Sequence, residues 1–230
     1  AVMSGFKEGW RDQILGTTPH ISIYSHEPGG MKDYQAVAEK IKSRQGVTSA
    51  GPFIEKQVML SSESGVSGAI VKGVELDSVR DTLEKQTVAG SIDLMRDFNK
   101  EEGSGPFATG EKRQGGLFLG IDLAGALNVA LGDEVTVISP LAIPTPMGLV
   151  PRMKKYPLVG IFQTGTAYDS ALTYMSLENA QSFFTMSGRA DGVQAWVENI
   201  FDAERIGRLA AEQLGSPYWS RDWKEANKAL

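Results

Sequence analysis

The sequence predicts an α+β fold in which a split β-α-β unit encloses an inserted, β-rich segment with a long hairpin. Two similar strand–helix–strand patterns lie near the ends of the chain, at residues 20–60 and 192–223. The residues between them are rich in glycine and in short alternating runs, which are typical of strands. Residues 139–156 form a proline-rich stretch between two such runs, which indicates the hairpin.

Length and composition limit the classes of protein that the chain can represent. The 230 residues, 41% hydrophobic and 22% charged, are enough for one large domain or two small ones with a packed core. A net charge of −5 gives no basic excess for nucleic-acid binding. Since cysteine is absent, a disulfide framework and a thiolate site are excluded.

The first residues are expected to form a helix over residues 1–16. Val2, Phe6, Trp10 and Ile14 recur every four positions and give one apolar stripe, which Gly16 ends. This helix either packs on the domain or is the stalk of a preceding transmembrane helix. No run of 18 apolar residues and no signal peptide are visible, and the chain begins without methionine inside the helix. We therefore expect a segment of a longer protein.

The first β-α-β pattern follows this helix. Residues 20–25 alternate as in a strand, and Asp33 is a candidate N-cap for a helix that Gly46 stops. Residues 47–60 form a long β-rich run, in which Gly51-Pro52 predicts a bulge or a bend.

The second β-α-β pattern closes the chain. Residues 192–198 alternate, Asp202 is a candidate helix N-cap, and residues 218–223 form a short last strand. The two patterns match as halves of one α/β sandwich, with the helices on one face of the sheet. Residues 18–57 and 190–223 are therefore expected to share one sheet.

The inserted segment is predicted to contain further strands and short helices. Residues 68–75 and 88–94 are expected to be strands around a short helix capped by Asp77. Glycine and proline predict a loop over residues 100–116, and apolar spacing predicts a helix over 119–129. Ser176 is a candidate cap for a last helix in this segment, with Leu177, Ala180, Phe183 and Phe184 facing inward.

The proline-rich stretch at residues 139–156, here called the hook, joins two predicted strands at 133–139 and 156–162. It is longer than an ordinary hairpin loop, and Pro140, Pro144, Pro146 and Pro151 make it stiff and extended. Proline removes backbone donors, so the hook is not expected to join a central ladder. A stiff apolar loop suits partner binding because little ordering is needed; alternatively, it folds back over the core.

A search for catalytic motifs favours a protein that is not an enzyme. His26-Glu27 precedes Pro28-Gly29-Gly30, which cannot hold a zincin helix. No Walker loop occurs, and Ser4-Gly-Phe-Lys7 matches Ser-x-x-Lys without its companion motifs. We therefore expect no catalytic residue, no cofactor site and no metal site.

Residues in the hook are similar to those of a known family. Thr145-Pro-Met-Gly148, followed by Pro151, resembles the periplasmic hook of the LolC-type permease subunit of the lipoprotein-releasing ABC transporter. Other short segments resemble that family in the same order along the chain: residues 2–6, 14–16, 118–124, 131–133, 159–162, 168–169, 218 and 222–223. The resemblance covers nearly the whole chain.

This resemblance implies a division into two subdomains of the MacB-like periplasmic core type. A discontinuous porter subdomain would comprise residues 1–57 and 189–230, including the N-terminal stalk helix 1–16. An inserted sabre subdomain would comprise residues 58–188, with the hook at 139–156. The implied location is the periplasmic side of a bacterial inner-membrane protein, between its first two transmembrane helices.

The resemblance also implies function and partners. The hook would dock the periplasmic lipoprotein carrier LolA, and the domain would help to transfer triacylated lipoproteins from the inner membrane to that carrier. The implied hook contacts are Ile143, Pro144, Thr145, Pro146, Met147, Gly148, Leu149, Val150 and Pro151, and a basic pad comprises Arg152, Lys154 and Lys155. A second permease subunit, LolE-like or a second copy, and a cytoplasmic LolD-like ATPase would complete the transporter, with lipoprotein as cargo.

Two alternatives stay open at this point. The Pro-Met-Gly hook favours LolC over LolE, although a single permease type combining both roles is also possible. The pad departs from the family, in which arginine is usual. Lysine at positions 154 and 155 cannot form the bidentate contacts of arginine, so it is open which pad residue contacts a partner.

The other functional class is a MacB-like export or efflux permease that docks an adaptor or an outer-membrane channel. Such a protein would not need Pro146-Met147-Gly148.

Overall fold

The computed structural model describes residues 18–96, 98–99, 112–145 and 148–226. Within these ranges the strands are β1 Ile21–Ser25, β2 Val47–Ser61, β3 Val66–Val74, β4 Thr87–Gly90, β5 Phe98–Asn99, β6 Lys112–Arg113, β7 Leu117–Gly120, β8 Glu134–Thr145, β9 Gly148–Phe162, β10 Leu172–Ser176, β11 Gly192–Val197 and β12 Tyr218–Asp222. The helices are α1 Tyr34–Lys42, α2 Leu76–Gln86, α3 Ile121–Leu127, α4 Leu177–Phe184, α5 Ala203–Leu214 and α6 Trp223–Ala226. The expected helix at 1–16 lies outside the described residues.

The two terminal β-α-β units interleave in one antiparallel sheet with the strand order β12-β1-β11-β2. This order confirms that residues far apart in the sequence share a sheet. α1 and α5 bury Ile41 and Ile206 in the same apolar cluster as Ile21 and Val193. Both helices therefore cover one face of this sheet, as expected for a split β-α-β arrangement.

The ends of the helices show which predicted caps form. The hydroxyl of Ser176 accepts a hydrogen bond from the Asn179 amide at 3.2 Å and caps α4 as predicted. Asp33 and Asp202 precede α1 and α5, but neither side chain makes a capping bond. The Asp33 carboxylate instead accepts from the hydroxyl of Tyr218.

β2 passes without interruption through Gly51-Pro52, so the bulge predicted at these residues is misplaced. The register of β2 against β11 shifts where Val47 and Ser49 face Val197 and Trp196, before the glycine. Gly51 serves a different purpose, because a Cβ there would lie 2.4 Å from the side chain of Ser78 on α2. The glycine thus lets α2 pack closely on the strand.

The inserted segment extends the sheet and closes part of it into a ring. Consecutive pairings run from β2 to β3, β10, β7, β9 and β8, and β8 pairs again with β2. The last contact is made by Ser61 and Thr136, Leu60 and Val137, and Met59 and Ile138. A six-stranded barrel-like ring therefore forms, and β2 takes part in both the ring and the terminal sheet.

Buried side chains form two apolar clusters on opposite faces of the strands. One contains alternate residues of the ring strands, such as Leu60, Val137 and Leu158, together with residues of α1, α4 and α5. The other is built around Phe53, Phe118 and Leu83 of α2. The predicted α+β class, a large sheet with helices packed on it, is confirmed.

Three local predictions in the insertion are wrong. Residues 92–95 form a 3-10 turn after β4 instead of continuing the predicted strand. Asp77 lies inside the first turn of α2 instead of capping it, and its carboxylate pairs with Arg96 at 3.1 Å. The predicted helix 119–129 begins only at Ile121, because Leu117–Gly120 is the fully buried strand β7.

The loop predicted at residues 100–116 lies largely outside the described residues, although Lys112–Arg113 pairs with Phe98–Asn99. The predicted boundary between residues 57 and 58 falls inside β2, so the division into porter and sabre subdomains stays a prediction. None of the helices in the described part of the chain is long and apolar enough to cross a membrane.

Candidate functional site

The hook is the far end of a long antiparallel hairpin formed by β8 and β9. Near its base the hairpin is part of the ring, where β8 contacts β2 and β9 contacts β7. Beyond a register irregularity between Ile138 and Ala142, the two strands pair only with each other in the described part of the chain. This outer segment is here called the arm; it pairs Ala142 with Pro151 through Thr145 with Gly148.

The arm corrects the expectation that residues 139–156 form a loop between strands. Both strands continue through Pro140, Pro144 and Pro151. Proline is tolerated here because each strand of the arm has one free edge, so a missing amide donor need not break a ladder bond. The result is an arm of regular β-structure.

The tip of the arm is a tight connection. Since Thr145 pairs with Gly148, only Pro146 and Met147 stand between them, and these two residues lie outside the described part of the chain. Gly148 has a φ of +118°, in the region that favours glycine. Of the predicted hook contacts whose side-chain exposure is described, Val150 is 45% exposed and Pro151 is also exposed.

The pad residues divide between the two sides of β9. Successive residues of a strand point to opposite faces, so Arg152 and Lys154 share the face of the buried Tyr156, whereas Lys155 lies on the other face. The three charges that the sequence places together therefore do not form one continuous surface.

Arg152 is bound to the end of α4. Its Nη1 donates to the carbonyl oxygen of Phe183 at 2.6 Å and lies 3.5 Å from that of Ser182. A cation at a helix C-terminus satisfies free carbonyl groups and interacts favourably with the helix dipole. Arg152 thus attaches β9, at the base of the arm, to the end of α4.

The two pad lysines have separate contacts. The ammonium of Lys154 lies 5.0 Å from the ring centroid of Tyr156. Lys155 forms a 2.8 Å ion pair with Glu134 on the neighbouring strand, and this hydrogen bond raises the lysine pKa. Because both members of the pair are exposed, solvent screens their attraction.

A row of apolar side chains at the base of the arm was missed from the sequence. Met59 pairs with Ile138, and Ile138 pairs with Met153, so the three lie side by side across β2, β8 and β9. Met59 is 49% and Met153 is 59% exposed. Met59 could not be placed here from the sequence, because it joins the row only through the pairing of β2 with β8.

The solved structures similar to this chain define its class. The extracellular domain of the noncanonic ABC-type transporter YknZ from Gram-positive bacteria covers 88% of this chain and 99% of its own, with a TM-score of 0.54 and 12% identity. The periplasmic region of MacB from Actinobacillus actinomycetemcomitans covers 95% and 94%, with a TM-score of 0.54 and 13% identity. The chain therefore has the fold of MacB-like periplasmic domains of ABC permeases.

Sequence comparison is more specific. The chain is similar over its full length to the lipoprotein-releasing system transmembrane protein LolC of Xylella fastidiosa strain 9a5c (30% identity) and of Neisseria meningitidis serogroup B (25%). LolE of Haemophilus influenzae is 21% identical over 97% of the chain. The resemblance to LolC/LolE-type permease subunits is thereby confirmed, and so is the expected location in a periplasmic domain of an inner-membrane permease.

The match is confined to part of each relative. The chain spans about half the length of the curated relatives it matches, 52% for both LolC proteins. No protein-family model matches the chain.

Proposed function

We propose that the chain is the periplasmic domain of a permease subunit in a lipoprotein-releasing ABC transporter and that it docks the carrier LolA through the hook. The observation that carries this proposal is the self-paired arm, whose two strands flank the Pro-Met-Gly motif, in a domain similar to LolC over its full length. The domain would help to transfer outer-membrane lipoproteins from the inner membrane to the carrier.

The proposed partners follow from the same relationship. A second permease subunit, LolE-like or a second copy, and a cytoplasmic LolD-like ATPase would form the transporter, and lipoprotein would be the cargo. We propose that this domain catalyses no reaction itself, since ATP hydrolysis would belong to the ATPase subunit. Its role would then be recognition of the carrier.

The geometry of the arm supports carrier docking. Ladder pairing, together with Pro144 and Pro151, would restrict the conformations of the arm before binding, so less conformational entropy would be lost on docking. Met147 at the tip would supply a flexible apolar anchor for a carrier that accommodates acyl chains.

We propose that the docking surface also includes the row Met59–Ile138–Met153, which continues from the arm on an exposed face. Methionine adapts its shape to a partner and is common at such surfaces. Of the pad, Lys155 lies on the same face of β9 as Met153 and would meet the carrier as a rim charge, which acts mainly on the association rate. Lys154 lies on the other face of β9 and would take part only if the carrier also reaches that side. Arg152 would position the arm through its bonds to α4.

The experiment is titration calorimetry of the chain with a LolA-type carrier. Met147→Asp is expected to weaken binding by about thirtyfold or more, the effect of losing a hot-spot residue worth about 2 kcal/mol. Pro146→Ala is expected to weaken binding less, by loosening the tip.

A matched control is Phe201→Asp, which places the same charge at a residue that is 57% exposed and remote from the hairpin in sequence. It should bind as the parent does. A parent chain that fails to bind the carrier, or Met147→Asp with parental affinity and an unchanged melting curve, would overturn the proposal. Binding of an export adaptor or outer-membrane channel in place of the carrier would support the MacB-like alternative.

A further inference from the structure

The face of the terminal sheet opposite α1 and α5 carries an aromatic groove that the proposed function does not use. The groove has a volume of about 330 Å³ and lies where β12, β1, β2, β3 and β10 present side chains away from α1 and α5. Its walls are aromatic and aliphatic, formed by Tyr24, Phe53, Ile70, Tyr168, Leu172 and Tyr174. This volume is within the range of small-molecule sites.

A lysine is buried in this groove. Lys72 is only 8% exposed, and its ammonium lies 5.4 Å from the ring centroid of Phe53. Its ion-pair partner in the described structure is Glu55, at 3.8 Å, and that carboxylate is 43% exposed. Burial lowers the pKa of Lys72; the attraction of Glu55 offsets part of this effect, and the repulsion of Arg221 adds to it. Burying a lysine lowers the stability of the folded chain when its carboxylate partner is partly exposed and lies at the long end of ion-pair distance.

Arg221 places a second cation in the groove. Its Nη2 donates to the Tyr24 hydroxyl at 2.9 Å, and its guanidinium lies 5.3 Å from the centroid of that ring. The ring of Tyr24 in turn stacks on Trp219 and meets the edge of Phe53. Aromatic contacts thus hold Arg221 beside the groove, although no carboxylate of the described residues lies within ion-pair distance of it.

The charges in the groove do not balance. Among the described side chains that enter the groove from this face, Lys72 and Arg221 are opposed by Glu55 alone. Asp222 also lines the groove, but it pairs with Ile21, whose side chain faces the helices, and its carboxylate accepts the amide of Glu225 at 2.8 Å. One negative charge brought by a ligand would neutralise the remaining positive charge.

Unused polar atoms lie next to the groove. Gln194 is 1% exposed, and neither atom of its side-chain amide has a hydrogen-bond partner among the described residues. It pairs across the sheet with Ser22, which lines the groove. The indole nitrogen of Trp196, two residues along the same strand, also has no partner among the described residues. Buried polar groups of this kind are uncommon and call for an explanation.

We propose that this groove binds an amphiphile that carries a single carboxylate or similar monoanionic group on an apolar body. Lys72 and Arg221 hold the anionic group, and the aromatic and aliphatic walls cover the apolar body. The site is separate from the hook, so it goes beyond carrier docking and can fail or hold independently of it.

The test uses decanoate, titrated into the 230-residue chain below its micelle threshold, with calorimetry and tryptophan fluorescence as readouts. Trp219 stacks on Tyr24 at 4.7 Å, so occupation of the groove should change the fluorescence. Decanoate is expected to bind more tightly than 1-decanol, which lacks the charge, and more tightly than acetate, which lacks the apolar body. Binding should also raise the melting temperature.

Lys72→Met removes the buried charge and keeps the side-chain volume, so it should weaken decanoate binding about tenfold or more. Arg221→Gln should also weaken decanoate binding, and it provides the test if Lys72→Met folds poorly. Lys85→Met, at an exposed position outside the groove, is the matched control and should bind normally. The proposal is overturned if decanoate does not bind the parent, binds both groove variants as it binds the parent, or binds no better than 1-decanol or acetate.

Discussion

Gly148 is the first described residue after the tip of the hairpin. Its φ of +118° suits glycine, yet a Cβ at this position would meet no atom within 4 Å among the described residues beyond its chain neighbours. A side chain at this position would therefore be unfavourable because of the backbone conformation and not because of a steric clash. We expect Gly148→Val to weaken the pairing of the arm by about 1 kcal/mol, so hydrogen exchange of its amides should be roughly fivefold faster.

Gly125 in α3 is the matched control for this change. A Cβ there also meets nothing within 4 Å, but its φ is not positive. Gly125→Ala should leave exchange in the arm unchanged and raise helix stability slightly. Parental exchange rates in Gly148→Val would show that the tip does not depend on the glycine.

Lys72 gives a second prediction at the scale of one residue, this time for stability. Burial lowers its pKa, so the folded chain holds the lysine proton less tightly than the unfolded chain. The resulting cost is largest below the folded-state pKa and disappears as pH rises past the unfolded value of about 10.4. Lys72→Met should therefore raise the free energy of unfolding at pH 7 by about 1 kcal/mol.

Urea unfolding at a series of pH values measures this effect. The gain of Lys72→Met over the parent should shrink as pH increases toward that value. A variant that is less stable than the parent at pH 7 would contradict the assignment of Lys72 as a costly buried charge. The combination of higher stability with weaker decanoate binding is expected only for a residue kept for a ligand.

Among the elements, the hairpin stem and α4 are joined by Arg152. Replacing it by methionine removes the bond to the Phe183 carbonyl and leaves the end of α4 without this cation. Arg152→Met is expected to destabilise the chain by about 1 kcal/mol, measured by urea unfolding. Lys155→Met is the control, since its exposed ion pair with Glu134 should matter little. Unchanged stability of Arg152→Met, together with lost carrier affinity, would make Arg152 a direct partner contact instead.

The elements also show where sequence patterns succeed and fail. Alternation of polar and apolar residues at 20–25 and 192–198 predicted β1 and β11, although every residue of β11 is buried. The second half of β7, residues 119–120, was assigned to the helix that follows, because Leu117–Gly120 is buried on both faces and shows no polar–apolar alternation. The prolines of the hook indicated an extended backbone but hid the paired strands, since the free edges that tolerate proline are visible only in the fold.

At the scale of the whole molecule, the shared terminal sheet was predictable and the ring was not. The two β-α-β units each have a complete local pattern, and their similarity indicates that they belong together. Closure of the ring depends on Met59–Ser61 of β2 meeting Thr136–Ile138 of β8, a contact that neither segment encodes alone. The same non-local contact places Met59 beside the hook and explains why the candidate site was predicted only in part.

β2 has a mechanical consequence for the whole domain. This single strand of 15 residues, roughly 50 Å long at 3.3 Å per residue, pairs with β11 near its start and with β8 at its end. It is therefore one continuous strand shared by the terminal sheet and the ring. A force on the hook is transmitted from β8 to β2 through paired strands, without an intervening flexible linker. We therefore expect the terminal sheet and the arm to move together as one rigid body.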